Sequence, residues 1–213
     1  MKQKLIQIKN LCKKYSKIVL DKFYTVINFI AKKIAKVDVN ANFISITGFI
    51  IGLFAINFVA MENYFYGLLF FLINRFFDVL DGAVAKISPQ KSDFGVFLDA
   101  SLDYIFYAGI IFGFALANPS QNALASAFLL TCFCAAAASM LAYGIIAFKK
   151  DSDKKLPVYL GGTFQAGELV VAIILMCLAP SLFMPLAIVF GIISLVKAFS
   201  IIISAYYAFV INK

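Results

Sequence analysis

Four aspartates lie within an otherwise apolar stretch of the sequence, and their spacing is the strongest chemical signal in the chain. Asp78 and Asp81 are three residues apart and Asp99 and Asp103 are four apart, so each pair shares one helix face. An ionised carboxylate near the centre of a bilayer costs about 3 kcal/mol or more. Because four such groups repel one another, cations must hold them together, and all-oxygen ligands suit Mg²⁺, Mn²⁺ or Ca²⁺ rather than zinc. The sequence therefore predicts a divalent-metal site.

The composition indicates a membrane protein. Of the 213 residues, 63% are hydrophobic and 14% are charged, and the mean hydropathy is +0.93. Soluble domains are nearer half apolar and a quarter charged, so the excess here must face lipid. The chain has no histidine, which excludes a Cys–His zinc site and leaves acid–base chemistry to Asp, Glu, Lys, Tyr or Cys. The cysteines are expected to pack as small hydrophobic residues rather than to form disulfides: Cys12, Cys132, Cys134 and Cys177.

Six apolar runs are long enough to predict an all-α protein with six transmembrane helices. The basic segment 1–42 precedes them, and within it apolar residues recur at helical spacing from 19 to 34. That pattern predicts a cytoplasmic amphipathic helix on an anionic membrane surface; a soluble pairing helix is the alternative. The chain thus divides into this N-terminal segment and a membrane domain over 43–213. The predicted spans are 43–61, 64–85, 94–117, 122–148, 166–180 and 183–211.

The lysines outside the predicted spans orient the helices. The connections at 61–63, 118–121 and 181–184 contain no Lys or Arg. The alternate connections, together with both chain ends, carry the lysines, and the positive-inside rule makes their side cytoplasmic: Lys86, Lys91, Lys149, Lys150, Lys154, Lys155 and Lys213. The prediction is a multi-pass inner-membrane protein with N-in and C-in topology. It places the two aspartate pairs level with each other, about 8 Å below the cytoplasmic face.

The residues around the aspartates resemble the signature of the CDP-alcohol phosphotransferase family. That signature reads D-x-x-D-G-x-x-A-R, then, after seven or eight residues, G-x-x-x-D-x-x-x-D. Here Gly82 and Ala85 match the first part, and Gly95 follows Lys86 after eight residues. The one departure is Lys86, where the family usually has arginine. Lysine keeps the positive charge but lacks the planar bidentate fork of arginine. Asn42, just before the first span, also suits the family pattern.

The resemblance implies transfer of a substituted phosphoryl group from a CDP-linked donor to an alcohol, with release of CMP. It implies a two-metal site of Mg²⁺ or Mn²⁺ held by Asp78, Asp81 and Asp99. Asp103 is expected near the acceptor hydroxyl as general base, and also as a metal ligand. Three small residues would let the nucleotide approach the helices, although helix packing explains them equally well: Gly82, Ala85 and Gly95. Asn42 and Lys86 complete the expected donor site.

The identity of the acceptor stays open at this stage. The expected donor is CDP-diacylglycerol, and glycerol phosphate, inositol phosphate, serine or another lipid alcohol is the acceptor. We expect a homodimer in membrane lipid and no nucleic-acid partner. The alternative function is a divalent-cation transporter or channel whose filter is the four aspartates. Two cations lie within the predicted spans. Arg75 is expected to pair with an acid of the cluster, and Lys197 either to bind an acceptor phosphate or to pair with Glu168 or an Asp.

Overall fold

A computed structural model of the chain describes residues 22, 24–35, 37, 40–88, 92–149 and 163–211. Within these residues all regular secondary structure is helical, so the predicted all-α class is confirmed for this part of the chain. The predicted basic stretch before residue 22 and the loop lysines Lys91, Lys150, Lys154 and Lys155 lie outside the described residues.

The helices follow the apolar runs closely. Residues 24–35 form α1, which falls within the predicted amphipathic segment. The six longer helices are α2 (Ala41–Ala60), α3 (Tyr64–Ile87), α4 (Asp93–Ala117), α5 (Pro119–Lys149), α6 (Thr163–Leu178) and α7 (Phe183–Tyr206). A short 3₁₀ turn, Pro180–Leu182, precedes α7, and a π-helical turn, Tyr207–Ile211, follows it.

Four segments among the described residues are long and apolar enough to cross a membrane: Ala41–Ala60, Asp93–Ala117, Pro119–Ile146 and Pro180–Ile211. Helix α3 differs because it carries charged side chains at four positions, and α6 differs because it has only 16 residues. The chain is therefore a helical membrane protein. Six spans and the N-in/C-in orientation stay predictions.

The contacts divide the chain into two compact units. The described residues within Met1–Ile51 and Leu72–Asp103 form unit 1, and those within Gly52–Phe71 and Tyr104–Lys213 form unit 2. All four aspartates of the motif fall in unit 1.

The core of unit 1 is the contact of α1 with α2 and α3. Ala31 of α1 is fully buried beside Ile44 of α2 and Leu80 and Val84 of α3. The opposite side of α1 leaves Val26 and Phe29 more than half exposed, and Lys32 and Lys33 are also exposed. A helix is therefore present within the predicted amphipathic segment, and its amphipathic, membrane-surface character stays a prediction.

Helices α2 and α3 approach very closely within unit 1. A Cβ added to Gly48 would lie 2.7 Å from the Cβ of Phe77, a distance that atoms of a folded protein do not tolerate. Glycine at position 48 thus brings the two backbones together. At this crossing the buried Asn74 donates a hydrogen bond from Nδ2 to the carbonyl oxygen of Gly48, at 2.8 Å.

Large aromatic side chains fill the core of unit 2. Phe71 stacks on Phe106 with ring centroids 5.8 Å apart, and Phe114 stacks on Phe183 at 4.8 Å. All four rings are fully buried. Such aromatic pairs contribute about 0.5–1.5 kcal/mol each beyond the burial of their surface, so they hold the helices of unit 2 in a fixed register.

Candidate metal and nucleotide site

Three of the four aspartates form a carboxylate cluster. One oxygen of each of Asp78, Asp81 and Asp99 lies within 4.8 Å of the others. Asp81 is buried at 4% exposure, and Asp78 and Asp99 are half-buried. Asp81 lies six residues before the end of α3, and Asp99 six residues after the start of α4. At 1.5 Å per residue, each lies about 9 Å along its helix from the turn, which brings the two pairs level as predicted.

The donor set of this carboxylate cluster fits a divalent metal ion. Three carboxylates at such short separations repel one another strongly when ionised, because burial removes the water that would screen them. A hard cation with oxygen ligands relieves this repulsion, and Mg²⁺ and Mn²⁺ both prefer carboxylate oxygens. A metal ion bound by Asp78, Asp81 and Asp99 is therefore compatible with the residues present.

The fourth aspartate has a different partner. Asp103 does not belong to the group of three, and its Oδ1 accepts a hydrogen bond from Nη2 of Arg75 at 2.9 Å. Nη1 of the same guanidinium lies 3.5 Å from Oδ2 of Asp78. The prediction that Arg75 pairs with Asp78 or another acid is confirmed, and it pairs with both. The role of Asp103 as a metal ligand stays a prediction.

A cavity of about 180 Å³ opens beside the carboxylate cluster, within unit 1. Two of the clustered acids, Asp81 and Asp99, line it. Every residue expected to bind the donor also lines it: Asn42, Gly82, Ala85, Lys86 and Gly95. The structure thus brings the predicted nucleotide-binding residues to one cavity, with two of the predicted metal ligands in its wall.

The starts of two helices face this cavity. Asn40 begins α2 by accepting a hydrogen bond from the backbone N–H of Asn42 at its Oδ1, at 2.9 Å. Ser92 begins α4 in the same way, because its Oγ accepts from the backbone N–H of Gly95 at 3.1 Å. Both are the usual N-cap arrangement, in which a side-chain oxygen satisfies a backbone donor of the first helical turn. The two caps fix where Asn42 and Gly95 stand at the cavity.

Several polar residues at the site were not predicted from the sequence. Ser45, Ser88 and Ser92 line the cavity, and the buried Asn74 accepts hydrogen bonds from Arg75. A signal for Asn74 was available, since it stands four residues before Asp78 and so shares a helix face with it. A buried amide in an apolar helix needs a hydrogen-bond partner, so the position of Asn74 was itself an indication of a polar contact at the site.

The remaining predicted cation lies in unit 2. Nζ of Lys197 on α7 forms an ion pair with Oε2 of Glu168 on α6. Pairing with Glu168 was one of the two alternatives for Lys197, and it is confirmed. The three described cysteines, Cys132, Cys134 and Cys177, are free thiols, as expected.

Comparison with known proteins places the chain in a family. The family model for CDP-alcohol phosphatidyltransferase matches residues 38–194. The chain is 39% identical to the inner membrane protein YnjF of Escherichia coli K12 over 168 residues, which cover 76% of this chain and 81% of that protein. It is 36% identical to the archaetidylinositol phosphate synthase of Pyrococcus horikoshii over 87 residues, 41% of this chain and 46% of the archaeal protein. The chain thus belongs to the CDP-alcohol phosphatidyltransferase family, membrane transferases of phospholipid biosynthesis.

Proposed function

We propose that this chain transfers the phosphatidyl group of CDP-diacylglycerol to an alcohol, with release of CMP, at the cytoplasmic face of the inner membrane. The observation that carries the proposal is the shared use of Asp81 and Asp99. Both belong to the carboxylate cluster and both line the cavity that holds the expected donor residues. A pyrophosphate bound in this cavity would lie directly beside the acids.

The residues divide the work of the reaction. Asp78, Asp81 and Asp99 would hold Mg²⁺ or Mn²⁺, and bound dications would neutralise charge on the pyrophosphate and on the departing CMP. Asn42 and Lys86 supply an amide and a cation at the cavity wall for the nucleotide. Lys86 is exposed, and as a mobile point charge it suits a phosphate oxygen even without the bidentate fork of arginine.

The acceptor hydroxyl loses its proton in the transfer. Its oxygen forms the new bond to the phosphatidyl phosphorus, and the bond from that phosphorus to the bridging oxygen of the pyrophosphate breaks. CMP leaves with the electron pair of that bond. We assign the proton to Asp103, the one carboxylate of the motif outside the cluster of three. A general base of this kind contributes about 10²–10⁴-fold to the rate.

The relatives narrow the search for the acceptor. The archaeal relative is a synthase of archaetidylinositol phosphate, which makes inositol phosphate the first acceptor to test. The alignment with it spans only 41% of this chain, so glycerol phosphate and serine belong to the same panel. The inner-membrane name of the bacterial relative supports the proposed location.

The proposed arrangement has six spans, with both ends in the cytoplasm, and the membrane domain covers 43–213. The lysine-free and lysine-rich connections support this orientation. We also propose a homodimer in membrane lipid. Cross-linking of the purified protein in lipid nanodiscs tests the dimer.

Release of CMP separates the transferase from a cation transporter. The purified protein in mixed micelles should release CMP from CDP-diacylglycerol only when one acceptor of the panel is present, with one phosphatidyl product per CMP. Asp81→Asn and Asp99→Asn should each slow release and raise the metal concentration that it requires. A wild-type protein that forms no CMP with any acceptor, yet carries Mn²⁺ across liposome membranes, would show that the cluster is a transport site.

A further inference from the structure

Arg75 is the only arginine among the 19 basic residues of the sequence, and all the others are lysines. It also lies in the middle of α3, after the apolar residues 64–73, and its side chain is only 11% exposed. A buried cation in such a helix is costly unless it is paired. Every other basic position of the chain is a lysine. An arginine at position 75 therefore points to the property that lysine lacks, which is several hydrogen-bond donors in one rigid plane.

The guanidinium of Arg75 uses this plane to contact three side chains. Nη2 donates to Oδ1 of Asp103 at 2.9 Å, and Nη1 lies 3.5 Å from Oδ2 of Asp78. Nε and Nη2 both donate to Oδ1 of Asn74, at 2.9 and 2.6 Å. A lysine ammonium also has three donors, but they radiate from one nitrogen, so it cannot reproduce a planar fork in which separate nitrogens face these acceptors.

Asn74 is itself held in one orientation. Its Nδ2 donates to the carbonyl oxygen of Gly48 at 2.8 Å. A carbonyl oxygen only accepts, so the amide nitrogen must face Gly48 and the amide oxygen must face Arg75. The close approach at Gly48 makes this bond reachable, since a Cβ there would lie 2.7 Å from Phe77. The contacts thus form a continuous line from the backbone of α2 through Asn74 and Arg75 to Asp103.

We propose that Arg75, oriented by Asn74, is a positioning residue that holds Asp103 for proton transfer from the acceptor. The proposal rests on the proposed function, because it assigns a role within the same site. The guanidinium fixes one oxygen of Asp103 by a charge-assisted hydrogen bond, which sets the direction of the carboxylate. The same guanidinium lies 3.5 Å from Oδ2 of Asp78, so it links Asp103 to the edge of the carboxylate cluster through one shared positive charge.

Turnover and donor binding should separate in the Arg75 variants. Arg75→Lys should lower kcat about 10-fold and Arg75→Gln about 100-fold, the lower part of what a general base contributes. KM for CDP-diacylglycerol should stay within about 3-fold of wild type, since no donor residue is removed. An unchanged kcat in Arg75→Lys would show that position 75 needs only a charge, and would overturn the proposal.

A double-mutant cycle tests whether Arg75 acts through Asp103. In an Asp103→Asn background, Arg75→Gln should lower kcat by less than about 2-fold further, because residues that act as a unit are non-additive. If Arg75→Gln lowers kcat in the Asp103→Asn background by the same factor as in the wild type, Arg75 does not act through Asp103, and the proposal is overturned.

Binding of Mn²⁺, followed by electron paramagnetic resonance, supplies a readout that does not depend on turnover. Removal of a cation beside Asp78 raises the local negative potential, so Arg75→Gln should bind Mn²⁺ as tightly as wild type or more tightly. Weaker Mn²⁺ binding in step with the loss of kcat would make Arg75 a support of the metal site, against the proposal.

Asn74→Ala and Asn122→Ala form a matched pair. Both asparagines are buried, at 4% and 6% exposure, and each donates from Nδ2 to a backbone carbonyl, that of Gly48 or of Phe114, at 2.8 and 2.9 Å. Asn122 belongs to unit 2, whereas the four aspartates of the motif belong to unit 1. Both variants should lose similar stability, but only Asn74→Ala should lose kcat, by about 10-fold. Equal kcat in the two variants would refute the role of Asn74. Wild-type protein without transferase activity would refute the proposed function instead.

Discussion

Gly95 and Asn42 are packed so closely that a side chain at position 95 would have to displace the amide of Asn42. A Cβ on Gly95 would lie 2.8 Å from Oδ1 of Asn42 and 3.4 Å from Oγ of Ser92. At Gly82, by contrast, a Cβ would meet nothing within 4 Å. Both glycines line the cavity. The resemblance predicted that both let the nucleotide approach, and helix packing was the alternative. The close contacts at Gly95 favour the packing explanation for that residue. The open space at Gly82 favours the explanation that the nucleotide approaches the helix there.

Alanine at these two positions should therefore act differently. Gly82→Ala should leave the protein as stable as wild type or slightly more stable, because alanine favours a helix by about 1 kcal/mol over glycine. It should raise KM for the CDP donor, since the new methyl group lies in the cavity. Gly95→Ala must displace the amide of Asn42, an expected donor residue, so it should weaken donor binding more than Gly82→Ala does, with little loss of stability because that amide can rotate. Thermal unfolding in detergent and donor titration measure the two effects.

Ala83→Gly serves as a control, since residue 83 packs in the core of unit 1 and does not line the cavity. It should lower stability without changing the donor KM. If Gly82→Ala leaves the donor KM at the wild-type value, the nucleotide does not approach α3 at that position.

Metal removal should abolish activity. The oxygens of Asp78, Asp81 and Asp99 lie within 4.8 Å of one another, and such a cluster needs a cation. We expect no CMP release in EDTA and full recovery on addition of Mg²⁺ or Mn²⁺. Recovery by Zn²⁺ alone, or turnover that continues in chelator, would contradict the assignment of this cluster to a hard cation.

The variants Asp81→Asn and Asp103→Asn should distinguish a metal ligand from a general base. Asp81→Asn removes a charge from the carboxylate cluster and should weaken Mn²⁺ binding and turnover together. Asp103→Asn should keep donor affinity while it slows transfer by about 10²–10⁴-fold, as loss of a general base does. The measurement is donor affinity and turnover for both variants across a metal titration. If Asp103→Asn loses metal and donor binding as fully as Asp81→Asn, Asp103 is chiefly a metal ligand.

The helices could be predicted from the sequence because apolar runs and their breaks set them directly. The run predicted at 94–117 is α4, Asp93–Ala117, and the run predicted at 64–85 ends two residues before α3 does, at Ile87. The start of α5 at Pro119 was missed by three residues, because its first turn is polar and so ended the apolar run. Proline in a first turn is a helix-start signal that composition alone overlooks.

The site was only partly predictable, for a physical reason. Spacing along a helix shows which residues share a face, and this was sufficient to group Asp78 with Asp81 and Asp99 with Asp103. It does not show how two helices are rotated about their axes. That rotation decides that Asp103 contacts Arg75 while Asp99 joins the acids of α3. The part of Asn74 depends on the crossing at Gly48, a contact 26 residues away in sequence.

The ion pair of unit 2 should contribute to stability. Lys197 and Glu168 pair between α7 and α6, with side chains only 18% and 26% exposed. Removal of one partner leaves a charge in an apolar setting, which costs a few kcal/mol in buried pairs. Lys197→Met and Glu168→Leu should each lower the unfolding temperature, and the double variant should recover most of the loss. If the double variant is as unstable as the sum of the two, the pair is not coupled.

The orientation of the chain can be tested by cysteine labelling. In a variant with the four native cysteines replaced, single thiols at Asn63 and Ser120 should react with a membrane-impermeant maleimide added outside intact cells. A thiol at Ser152 should react only after the membrane is opened. The reason is that the connections at 61–63 and 118–121 contain no lysine, whereas Ser152 follows Lys149 and Lys150 in a lysine-rich connection that the positive-inside rule keeps cytoplasmic. Labelling of Ser152 in intact cells would place this connection outside. The turn after α3, and with it the carboxylate cluster about 9 Å along its helices, would then face away from the cytoplasm.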